Sequence, residues 1–241
     1  KDLGLLPAVN RLADMADDLN EIFRSAAMRH NLYIIGGTTP VRRNNKLFNV
    51  AHFFTPAGNI YSQDKLHITP TERTYWDINP GEAIRIFETP IGRLAICVCY
   101  DIEFPELTRI LVDHGVDIIL NPFATDERKS YLRVRYCAQA RAVENMLYVV
   151  MSGNVGGLSN SPSMYLNYGQ AAICTPSDFA FPMDGIAAEG VVNTSTVVIA
   201  DLDLGTLDIQ RQSASVRPLL DRRHDMYEVK CKVHVERIVV V

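Results

Sequence analysis

The sequence predicts an α/β fold, a mixed β-sheet with helices packed on it, within one domain. Three observations carry this. Segments of helical period alternate with short apolar runs of strand length, and turn-bounded hairpins interrupt the alternation. Neither a low-complexity linker nor a short-period repeat divides the 241 residues.

The elements follow in order. Val9, Leu12, Met15, Ala16, Leu19, Ile22, Phe23, Ala26 and Ala27 recur at helical spacing, with acidic residues and Arg24 between them. This predicts one amphipathic helix of about twenty residues laid on a sheet. Leu32 to Ile35 is expected as a buried strand ended by Gly36-Gly37. Leu47 to Phe54, a Pro56-Ala-Gly-Asn59 turn and Ile60-Tyr61 predict an antiparallel hairpin. A loop rich in Thr and Pro then carries Glu72, and Ile84 to Glu88 pairs with the next strand across Thr89-Pro-Ile-Gly92. Leu107, Ile110, Leu111 and His114 form a helix capped by His114 and stopped by Gly115. Val116 to Leu120 is a parallel-type strand followed by a loop over Asn121 to Thr125. A long helix from about Tyr131 to Met146 and a strand over Leu147 to Met151 come next. Gly153 to Gly169 is expected as a loop, and Ala171 to Cys174 and Thr196 to Asp201 as strands. Residues 206–241 form a C-terminal extension of the same domain. In it Val229, Cys231, Val233 and Val235 alternate with polar residues, the pattern of an edge strand pairing with its own sheet or a partner's.

Composition excludes several classes. A net charge of -4 gives no reason to expect nucleic acid or an anionic membrane as partner. No apolar stretch approaches the ~20 residues of a membrane span. Five scattered cysteines do not form a disulfide framework, so a reducing, cytoplasmic setting is expected. Cys97-Val-Cys99 without a second cluster is poor evidence for zinc, and no metal is expected.

The chain is organised around Gly92 to Glu106. Leu94 to Val98 is a strand, and Pro105 suits the first turn of a helix, so Cys99 falls at the corner between them. A thiol there can stand clear of the sheet, and a helix start and nearby cations would lower its pKa. Buried cysteines are common, and Cys97, inside the apolar run, fits that description. Pattern alone leaves Cys99 open between nucleophile and packed thiol. It also leaves Lys65, just past a strand, open between a working cation and a solvated surface charge. His67 and His114 are the histidines nearest Cys99 in sequence, and nothing local marks either as its base.

Lys65-Leu-His67, Glu72, Cys99-Tyr-Asp-Ile-Glu-Phe-Pro-Glu106 and Ala140-Arg-Ala-Val-Glu-Asn145 stand in the order and approximate spacing of the nitrilase, or carbon-nitrogen hydrolase, superfamily. The chain resembles its amidase-like branch from about residue 8 to residue 205. The resemblance implies an αββα sandwich and a thiol-dependent hydrolase of a small amide, carbamoyl compound or nitrile, with no cofactor. It implies Cys99 as nucleophile and Lys65 as the cation beside the tetrahedral intermediate. Glu72 is then the acidic residue that orients the lysine, and the backbone N–H of Tyr100 an oxyanion donor. Trp76, Asn121 and Phe123, with the loop over 154–168, are expected around the substrate. The family's general base, a Glu closing an N-terminal strand-helix-strand, has no counterpart before Lys65. An N-terminal section of roughly fifty residues, the length of such a unit, is therefore expected to be missing from the chain. The alternative is a catalytically incomplete, dimerising or binding module. Lys65 is expected to act on chemistry and not on stability. The family's usual pairing through the two helices after Cys99 implies a homodimer or higher homo-oligomer.

Overall fold

The computed structural model of the chain describes residues 5–158 and 165–241. The first helical stretch is two helices, α1 (Leu5–Asp14) and α2 (Ala16–His30), and not the single one expected. They part at Met15, whose N–H turns back tightly to Leu12 O. Val9, Ala16 and Ala27 are buried while Leu12, Met15 and Ile22 stay exposed, so only part of the apolar stripe faces the sheet.

Strand β1 (Ile34–Arg43) does not end at Gly36-Gly37 but runs through it, and it is half-buried. A bulge between Ile35 and Thr38 absorbs Gly37 at φ 74, a conformation that costs glycine little. Asn44 and Asn45, both left-handed, make the tight turn into β2 (Lys46–Phe54), which pairs with β3 (Ile60–Asp64) in the expected hairpin. Glu72 lies on a helix, α3 (Pro70–Tyr75), and not on a loop. Thr69 caps it reciprocally with Glu72, and Pro70 opens it without losing a bond. A short β4 (Ile78–Asn79) pairs with β2.

The second sheet begins with β5 (Ile84–Thr89) and β6 (Gly92–Ile96), antiparallel as expected. A 3-10 helix (Cys99–Glu103) and α4 (Pro105–Asp113) follow. His114 Nδ1 meets Ile110 O at 2.8 Å, the expected cap. Strand β7 (Ile118–Phe123) takes in Asn121 to Phe123, because β8 (Tyr148–Gly153) pairs with it along its whole length. Between them runs α5 (Arg128–Asn145). Residues 159–164 of the expected 153–169 loop lie outside the described residues. Beyond it come β9 (Ala172–Cys174), β10 (Ile186–Glu189), α6 (Leu204–Ser213) and β11 (Val235–Val239). Thr196 to Asp201 forms no strand; Val197 and Ile199 there are exposed. The C-terminal alternation becomes a strand only from Val235, which pairs with Ile84, the first residue of β5; the edge used is the chain's own.

The layers follow from strand alternation. The first sheet runs β1-β2-β3 with β4 on β2, the second β10-β9-β8-β7-β6-β5-β11. Phe54 stacks on Phe23 of α2, while its neighbour Phe53 meets Phe87 of the second sheet, ring centres 5.3 Å apart. Leu94, Ile96 and Ile118 join Phe53 in the core between the sheets. Ala95, Cys97 and Ile119 point the other way, onto Leu107 and Leu111 of α4 and Val134 and Ala138 of α5. The order is therefore helices, sheet, sheet, helices, the αββα sandwich expected. Leu207 of α6 is buried in the inter-sheet core. No helix among the described residues is long and apolar enough to cross a membrane.

Candidate active site

Three segments converge at one end of the sandwich: the exit of β3, α3, and the corner after β6. Lys65 has its backbone N–H on Asn49 O and its carbonyl on Gly81 N–H, both at 2.8 Å. Its side chain is 3% exposed, and Nζ meets Glu72 Oε2 at 2.5 Å. Lys65 is thus no solvated surface charge. Glu72 also accepts from Asn49 Nδ2 at 3.0 Å and from the Thr69 N–H and hydroxyl at 3.0 and 2.7 Å. Burial pushes its carboxyl up, but the charge of Lys65 and these bonds together hold it below the usual carboxylate range.

Cys99 sits at φ 49, left-handed and uncommon for a residue with a side chain. The residue is partly buried, and its thiol lies 3.8 Å from Ala124 O. Burial pushes the thiol up; Lys65 and the Ala124 backbone contact lower it by less, and the Glu72 and Asp101 charges add to the rise. The expectation of a lowered pKa is overturned because desolvation outweighs the cation. Cys97 is fully buried on the other side of β6 and is pushed up further. The Tyr100 N–H lies in the first turn of the 3-10 helix, where N–H groups have no partner within the helix.

Sequence reasoning missed the supports of the corner. Asp101, fully buried, accepts from the N–H groups of Val98 and His67 at 3.0 and 2.8 Å, from Leu66 at 3.4 Å, and meets His67 Nδ1 at 2.8 Å. His67 in turn stacks on Phe104, ring centres 3.7 Å apart. Arg141, from the Ala-Arg-Ala motif, donates to the carbonyls of Ile102 and Glu103 at the end of the 3-10 helix. Asn121 donates to the carbonyls of Cys97 at 2.6 Å and Cys99 at 3.4 Å, so its amide holds the corner. Phe123 is buried against Tyr131 in the helix-side core. Trp76 caps α3 and packs with Leu47, Ile68 and Ile78. The motif positions of Asp101 and Arg141 were visible signals, but what they touch was not.

A carbon-nitrogen hydrolase family model matches residues 10–212. The chain is 48% identical over 225 residues to a probable hydrolase, YhcX, of Bacillus subtilis (strain 168), covering 93% of this chain but 44% of that protein. It is 27% identical over 227 residues to the omega-amidase NIT2 of Bos taurus, covering 91% and 76%. Among solved structures, a mutant of the amidase from Nesterenkonia sp. AN1, with acrylamide added at its active site cysteine, shares the fold. The TM-score is 0.71 at 20% identity, over 92% of this chain and 80% of that one. The layering, the corner cysteine beside a buried lysine, and a match over most of its length agree: this chain belongs to the carbon-nitrogen hydrolase family.

Proposed function

We propose that the site hydrolyses the carbon–nitrogen bond of a small, non-peptide amide through an acyl group carried on Cys99. The observation that carries this reading is the buried Lys65–Glu72 pair whose charges act on the Cys99 thiol. Sγ attacks the carbonyl carbon and forms a C–S bond. The oxyanion meets the positive charge of Lys65 and the N–H of Tyr100. The C–N bond then breaks, ammonia or an amine leaves with a proton, and water releases the acid and restores the thiol. Because the thiol is pushed up, it needs a proton acceptor. Glu72 and Asp101 already accept from several donors each, and the family resemblance assigns that task to a further glutamate. The omega-amidase relative supports an amide over a carbamoyl compound or nitrile.

The test is ammonia release by the complete protein, with any residues that precede Lys1, from a panel of small amides, carbamoyl compounds and nitriles. Turnover is expected with an amide, and Cys99→Ala should abolish it. Iodoacetamide followed by peptide mapping should mark Cys99 ahead of Cys97, Cys137 and Cys174, with a rate that climbs into alkaline pH as burial raises the thiol. Preferential labelling of any of those three sinks the assignment. A folded protein that turns over nothing on the panel supports a binding module instead.

The same reading includes a homodimer. Residues of the C-terminal extension cover part of α4, where Arg222 pairs with Asp113 and Leu219 packs on the core. The outer side of α5 keeps Tyr136 63% and Val143 40% exposed, which a second copy would cover. Light scattering on the complete protein at micromolar concentration should give about twice its single-chain mass, which is 27.0 kDa plus any residues outside these 241. A mass near the single value refutes the dimer.

A further inference from the structure

We propose that Asp101 is a positioning residue that clamps the Lys65 segment to the Cys99 corner and so fixes the separation of lysine and thiol. The proposal rests on the functional reading above. Oδ2 accepts from Val98 N–H, the residue before Cys99, and from Leu66 N–H, the residue after Lys65. Oδ1 takes the N–H and the ring Nδ1 of His67. One fully buried side chain is thus bonded to backbone next to each of the two reacting groups, across 34 or 35 positions of sequence.

A purely local role does not account for this arrangement. Reaching back from the third residue of the 3-10 turn to its cap needs only the bond to Val98, which a neutral amide oxygen can also accept, as Gln does in capping boxes. Three of the four contacts come instead from the Lys65 side. Donors approach both oxygens, which suits an acceptor-only carboxylate and not an amide, half of whose edge is NH₂. The Asp101 charge also raises the Cys99 thiol, opposing thiolate formation, which a neutral cap would not do. The ring of His67, flat on Phe104 with 9° between planes, holds the Lys65 side of the clamp in place.

The experiment is a double-mutant cycle read on the pH midpoint of Cys99 alkylation by iodoacetamide, with turnover measured alongside. In the otherwise unaltered protein, Lys65→Met should raise the midpoint by about one pH unit or more, since an opposite charge at close range is removed. In an Asp101→Asn background the same substitution should raise it by less than half as much. Turnover of Asp101→Asn should fall about a hundredfold, the size expected for a displacement of order 1 Å. His67→Ala, which removes the ring contact and keeps the carboxylate, should weaken the coupling less, and it decides the matter if Asp101→Asn does not fold. Full coupling retained in either folded variant, or turnover of Asp101→Asn within threefold of normal, overturns the clamp. Alkylation needs no substrate. If the unaltered protein hydrolyses no amide, the functional reading fails alone, and the coupling still decides the clamp.

Discussion

Replacing Lys65 by methionine lowers turnover at least about a hundredfold, the effect of removing one oxyanion partner. It also destabilises the fold, contrary to the expectation from sequence that the melting temperature would not change. Nζ sits on Glu72 at 2.5 Å with side-chain exposures of 3% and 7%. Methionine fills the space of the stem but leaves a buried carboxylate without its cation, a loss of about 3–5 kcal/mol. The pH dependence gives the sign. In the unaltered protein Glu72 is held below its ordinary 4.5, so its contribution is present above that value and fades as pH falls through the depressed one. Without Lys65 burial raises the carboxyl instead, and the penalty falls on its charged form. The melting-temperature gap between variant and unaltered protein should therefore narrow as pH drops from neutral to below 4.5. A gap that is constant across that range, or absent at neutral pH, refutes the buried-pair account.

Glu72→Gln is expected to act on the thiol in the opposite direction. Glutamine keeps the shape and, with its oxygen in the place of Oε2, the bonds from Thr69, but its NH₂ then faces the Asn49 amide and the charge is gone. Glu72 raises the Cys99 thiol and Lys65 lowers it. Removing the carboxylate should bring the midpoint of Cys99 alkylation down, whereas Lys65→Met takes it up. Turnover should nevertheless fall about a hundredfold, because Nζ loses the charged partner that aims it and the side chain loses its Asn49 anchor, and misplacement by about 1 Å is enough for that. A more reactive thiol with a slower catalyst separates aiming from activation. Midpoints that move the same way in both variants would show that the two side chains do not act on Cys99 as a pair of opposed charges.

Much of this architecture was legible from residues alone. The corner at Cys99 followed from an apolar run, a turn before it and Pro105 after it. The β2–β3 and β5–β6 hairpins and the helix over α5 followed from periodicity and turn residues. These signals are local: side-chain period and backbone preference act within a few residues, so a sequence states them directly. Asn44-Asn45 was such a signal left unused.

The rest depended on what lies across space. Thr196 to Asp201 has the composition of a strand but no ladder beside it, and Val229 to Val233 lacks one because β5 begins only opposite Val235. A strand is a pairing, so half of its cause lies in another segment. The burial of Lys65 was decided in the same way, by Asn49, Thr69 and Glu72 closing over it, and so was the duty of Asp101. Cys99 shows the difference best. Its place was fixed by the sequence around it, while the sign of its pKa shift came from desolvation and from three charges carried by β3, α3 and the corner. A field sums over all neighbours at their actual distances, and only the folded chain sets those distances.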